Sequence, residues 1–69
     1  MINNIVGKLI VESYRNSTVN RILDDIGLKY KIDTTHDQLQ VDSNVEEIKF
    51  KYRTYGECVK MLYQKAGLS

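Results

Sequence analysis

At 69 residues, with ten Lys and Arg against nine Asp and Glu, the chain has the size of one small domain and a net charge of +1. A chain this short buries only about 60% of the surface its unfolded form exposes, so its core supplies at most roughly 3–5 kcal/mol of net stability unless something else holds it. A single cysteine excludes an intrachain disulfide, no Cys/His cluster points to zinc or another metal or cofactor, and no apolar run reaches membrane-spanning length.

Residues 2–14 admit two readings. Ile2, Ile5, Val6, Leu9 and Ile10 fit a helical stripe, with Val11 off it. Alternatively, Ile5, Gly7, Leu9, Val11 and Ser13 share one strand face, with Lys8 and Glu12 on the other. The β-branched residues and the interior glycine favour a strand over residues 8–14, though short apolar runs are not settled by periodicity alone. Asn3, Asn4, Lys8 and Glu12 interrupt any signal-peptide core, and with a lone thiol the expected compartment is the cytoplasm of the producing or infected cell.

Asn16 or Ser17 offers an N-cap for a helix carrying Val19, Ile22, Leu23 and Ile26 at i, i+3, i+4 and i+7, and Gly27 is placed to close it. Residues 28–33 then alternate, with Leu28, Tyr30 and Ile32 inward. A turn over residues 34–37 returns the chain as a strand over 38–42, with Leu39 and Val41 inward; a one-residue slip would turn that set outward.

Residues 48–67 read as a strand running into a helix. Ile48, Phe50, Tyr52 and Thr54 point one way and Lys49, Lys51, Arg53 and Tyr55 the other, the pattern of a strand with one buried face. Thr54 and Glu57 have the spacing of a capping box. Tyr55, Cys58, Val59, Leu62 and Ala66 form a helical stripe, Lys65 suits the negative end of the helix dipole, and Gly67 suits a left-handed C′ position. The expected fold is α+β: an antiparallel sheet in the order β-α-β-β-β-α (alternatively α-α-β-β-β-α), with two helices packed on its Tyr30/Ile32/Leu39/Val41/Phe50/Tyr52 face.

Three strands in sequence order would set Lys29 and Lys31, then Gln38 and Gln40, then Lys49, Lys51 and Arg53 on the outer face, with neighbouring rows about 4.8 Å apart. These seven residues are the candidate partner-binding surface, against the plainer reading that such cations only keep a sheet solvated. Engaging all five cations with duplex phosphates predicts a log–log salt slope of roughly −4.5. The near-neutral total charge weighs against nucleic acid, because binding domains of that kind commonly show a strongly basic stripe.

No catalytic set emerges. His36 sits alone in a turn beside Asp37 and lacks a nucleophile to serve. Cys58 falls on the apolar stripe of the last helix. Asp24 and Asp25 are adjacent on a helix and therefore splay apart. The expectation is a non-enzymatic binding module or inhibitor docking on a protein partner. Nucleic-acid binding through the basic sheet face is the alternative, and a homodimer made by edge-strand pairing is a further possibility. Proline and tryptophan are absent while Ile, Lys, Asn and Tyr abound, a bias shared with AT-rich genomes such as those of many phages; compact modules of this kind serve phages against host or defence machinery.

Two resemblances bear on this reading. VESYRNSTVNRILDDIGLKYKID, residues 11–33, resembles the opening strand-helix-strand of glutaredoxin-like domains over a third of the chain. Where that family carries its redox cysteines this chain reads Ser17-Thr-Val-Asn20, and it has no proline to match the family's cis-proline, so no residue role is carried over. The α-β-β-β-α order of the alternative is similar to a double-stranded-RNA-binding domain, with the expected basic cluster replaced by Thr54-Tyr-Gly-Glu57.

Overall fold

The computed structural model describes residues 9–68. Strand β1 (Ile10–Thr18) leads into helix α1 (Val19–Tyr30), a 3-10 turn over Thr35–Asp37, strand β2 (Asn44–Arg53) and helix α2 (Tyr55–Lys65). The strands pair antiparallel as a two-stranded sheet, with Tyr14 opposite Ile48 and Glu12 opposite Phe50. The fold is a small α+β one with an antiparallel sheet and two helices, as the sequence leads one to expect. The part of the N-terminal reading that falls on residues 1–8 lies outside the described residues.

The core is where the helical stripes predicted it. Val19, Ile22, Leu23 and Ile26 of α1 and Cys58 and Leu62 of α2 are buried against Ile10 of β1 and Val45, Ile48 and Phe50 of β2. The Tyr14 ring meets Phe50 edge to face, with centroids 6.3 Å apart, a geometry that matches ring quadrupoles. Ile48 and Phe50 point in while Lys49 and Lys51 point out, so parity holds through the middle of β2.

The helix ends explain themselves locally. Thr18, not Asn16 or Ser17, caps α1, its hydroxyl accepting from Arg21 N–H. Gly27 does not close that helix. It sits inside the last turns because an added Cβ would meet the Ile32 carbonyl oxygen at 2.9 Å, and Lys31, with φ +59, makes the left-handed exit instead. At α2 the capping box of Thr54 and Glu57 is complete. Gly67 takes φ +80 as expected; its N–H reaches Gln64 O at 3.1 Å and Leu68 N–H reaches Tyr63 O at 2.8 Å. That pair of bonds is a Schellman motif. Thr54→Ala is expected to lower stability by about 1 kcal/mol. A shift in urea midpoint at unchanged slope would show it, and no shift would mean that water caps the helix equally well.

Two segments expected as strands are not strands. Residues 28–30 continue α1, and residues 38–43 form a loop. The alternation Leu28, Tyr30, Ile32 is too short to distinguish a strand from the end of a helix. Here the end of the helix is held to β1 by two of its residues: Lys29 lies 3.2 Å from Glu12, and Tyr30 bonds Val11 and Glu12. In the loop, the Asn20 amide accepts from Leu39 N–H at 2.7 Å and donates to Leu39 O at 2.9 Å. One side chain thus supplies the backbone partners that a neighbouring strand would have given.

The predicted inner face is corrected accordingly. Phe50 is fully buried, and Tyr30, Ile32 and Leu39 pack half-buried against the core, but Val41 is 85% exposed and Tyr52 is 70% exposed. Val41 lies in the loop. Tyr52 is turned out by a register shift: Ile10 pairs with Arg53 and Glu12 with Phe50, so two residues of β2 oppose Val11 alone. Such a bulge reverses the alternation, and Tyr52 takes φ +53 within it. A second positive φ, +50 at Asn16, lies where Val45 and Ile48, three residues apart, both turn inward.

Candidate functional site

Both helices pack on one side of the sheet, which leaves the other side open among the described residues. By pairing, that face carries Val11, Ser13 and Arg15 from β1 and Glu47, Lys49 and Lys51 from β2, with Ser13 opposite Lys49 and Arg15 opposite Glu47. Val11 is 46% exposed, and Val11, Ser13, Lys49 and Lys51 line a shallow depression between the strands. Tyr52 projects at the end of this face. Neither Lys49 nor Lys51 forms an ion pair among the described residues.

The seven candidate binding residues are therefore not assembled into three rows. Lys49 and Lys51 share the outer sheet face as predicted. Arg53 lies beyond the bulge, 4.0 Å from Glu57 in an exposed pair. Lys29 stands on the last turn of α1 and pairs with Asp25 at 3.1 Å and Glu12 at 3.2 Å. Lys31 occupies the C-cap of α1, Gln38 bonds Asp24 and Thr34 in the loop, and Gln40 is an exposed loop residue. The cause is the absence of the middle strand, which alone would have brought the two basic rows onto one surface. Arg15 and Tyr52 were missed. Arg15 lies on a strand that runs past the expected boundary, and only the bulge, which leaves no sequence signature here, places Tyr52.

The polar clusters elsewhere tie elements together. Tyr14 donates to Asp25 Oδ2 at 2.6 Å, joining β1 to α1. Burial and that bond push the Tyr14 phenol well above its ordinary value, while the Tyr14 bond first, then Lys29, hold Asp25 below the usual carboxylate range against partial desolvation. Tyr55 donates to Asp37 Oδ2 and Tyr63 to Asp37 O, each at 2.7 Å, fixing α2 to the 3-10 turn. Burial, then the Asp37 bond, push the Tyr55 phenol up as well. Both phenols are hydrogen-bond donors at neutral pH, not bases.

Cys58 is buried in the core, and burial pushes its thiol up to about 11, a poor starting point for a nucleophile. His36 is exposed in the 3-10 turn. Among the described residues no three of His, Cys, Asp and Glu converge as a metal site would require, and no helix is long and apolar enough to cross a membrane. No family model, curated protein or solved structure matches the chain.

Proposed function

We propose that this chain is a non-enzymatic binding module, one that docks on an acidic patch of a protein partner through the helix-free face of its sheet. The observation that carries the reading is Tyr52. A bulky residue held at φ +53 costs of order 1–3 kcal/mol, a large share of what so small a core supplies. The strained backbone nevertheless presents an aromatic ring to solvent beside Lys49 and Lys51. Exposed tyrosine flanked by cations is a common anchor in protein recognition, because the ring gives contact area at low entropic cost and the charges select the partner. Three cations, Arg15, Lys49 and Lys51, against one carboxylate, Glu47, make the face complementary to acidic surface. The setting we propose is the cytoplasm of a producing or infected cell, with a host or defence protein as the target.

The test is affinity capture with the full chain and with a Lys51→Glu/Tyr52→Ala variant. The wild type is expected to retain a discrete protein after nuclease treatment. The variant is expected to lose it while keeping its far-UV circular dichroism, and Lys31→Glu, away from the face, is expected to keep it. Retention by the double variant would remove this face from consideration. Capture abolished by nuclease would instead favour nucleic acid, for which the three cations of the face predict a log–log salt slope of roughly −2.7.

A further inference from the structure

We propose that two copies of this chain join edge to edge through β2, giving a four-stranded antiparallel sheet in the order β1-β2-β2-β1. The contact is made by the backbone edge of the sheet, while Glu47 and Lys49, which set its register, also lie on the open face; self-association and partner capture are separate readouts, so the dimer stands or falls apart from the docking reading. The two edges of the sheet differ. The outer edge of β1 is covered at Val11 by α1: Val11 N–H donates to the Tyr30 hydroxyl at 3.0 Å, and that hydroxyl lies 3.1 Å from Glu12 Oε2 and 3.4 Å from Val11 O. Among the described residues the corresponding edge of β2 has no such cover: β2 pairs there only with β1, and no other hydrogen bond reaches the backbone between Asn44 and Arg53. This edge opens onto a groove of about 530 Å³ lined by Glu47, Ile48, Lys49, Met61, Gln64 and Lys65. A row of unpaired N–H and C=O groups is a template for another strand.

The strand's charges say which strand. Glu46 and Glu47 precede Ile48, and Lys49, Lys51 and Arg53 follow it. An antiparallel copy of the same strand presents these charges in reverse order. With a two-fold axis at Ile48, Glu47 of each copy stands opposite Lys49 of the other, and two cross-strand attractions form at the centre of the contact. Neighbouring registers are worse. Residues opposite one another must point to the same side of the sheet, so the alignment shifts in steps: one places Glu47 against Glu47, and the other keeps two attractions, Glu47 with Lys51, but sets Lys49 against Lys49 at the axis. The two-fold contact is self-complementary and closed. Growth beyond two chains is disfavoured because each dimer would end on the β1 edges, where Tyr30 occupies the Val11 backbone.

Sedimentation equilibrium on the full chain, from micromolar to low-millimolar concentration, tests this. The wild type is expected to be a dimer in that range. Glu47→Lys and Lys49→Glu each turn two attractions into two repulsions, and each is expected to weaken the dimer about tenfold or more. The Glu47→Lys/Lys49→Glu chain restores opposite charges across the axis and is expected to return to within about threefold of wild type. Circular dichroism checks that each variant is folded. Should a reversal fail to fold, Glu47→Gln and Lys49→Gln, which remove the attraction alone, are expected to weaken the dimer about threefold. A wild type that stays monomeric throughout, single variants that dimerise as well as wild type, or a double variant no better than the singles would each overturn the proposal.

Discussion

Phe50→Ala is expected to leave the chain largely unfolded at room temperature. Phe50 is the largest of the fully buried side chains and sits at the middle of β2, with the Tyr14 ring against its edge. Truncating a core phenylalanine costs about 3–5 kcal/mol, from lost transfer free energy together with the cavity left behind. That equals the whole net stability a core of this size is expected to supply, so the two nearly cancel. Loss of the cooperative thermal transition, followed by circular dichroism, is the readout. Tyr52→Ala, only two positions away, is expected to change stability by less than about 0.5 kcal/mol because Tyr52 is largely exposed. If the two variants proved equally damaging, the bulge between them would be misplaced.

Asn20→Ala is the second. Its amide accepts from and donates to the backbone of Leu39, and both bonds are partly shielded from water. Losing two such bonds costs about 2 kcal/mol. Alanine in place of asparagine within the first turn of α1 returns roughly 0.5 kcal/mol of helix propensity. The loss wins, and a net destabilisation of about 1.5 kcal/mol is expected. Amide exchange distinguishes the cause: Leu39 N–H should lose protection while Asn20 N–H, which bonds Asp42 Oδ1 at 3.0 Å, keeps it. Unchanged protection at Leu39 would mean that the loop is held by something other than this side chain.

These two residues also mark the limits of reading the fold from the sequence. The helical stripes and the caps around Thr54, Glu57 and Gly67 were legible because each depends on neighbours within four positions. So was the parity of Ile48 through Lys51. What escaped was decided across the chain. Residues 38–42 alternate as well as many strands do, yet an amide about 19 residues earlier in the chain meets their backbone and no partner strand forms. Tyr52 obeys the same alternation, yet one unmatched residue opposite Val11 turns it outward. The basic surface failed because the strand expected over residues 28–33 does not form: Lys29 lies in the last turn of α1 and Lys31 at its C-cap. Lys49 and Lys51 kept their place because their strand has a partner, while Arg53 lies past the bulge.

The pairing of β1 with β2 carries a consequence for how the chain reaches this structure. Thr18 meets Asn44 at one end of the ladder and Ile10 meets Arg53 at the other, and a whole helix lies between the two strands in sequence. No tight turn can zip them together, so the entropy of closing that span is lost before any ladder bond repays it. The helix between them, with its apolar stripe and its threonine cap, is the element able to form first and to collect the flanking segments on its greasy side. Refolding is therefore expected to wait on a long-range closure, so that whatever slows the search of those two ends for one another should slow the molecule as a whole.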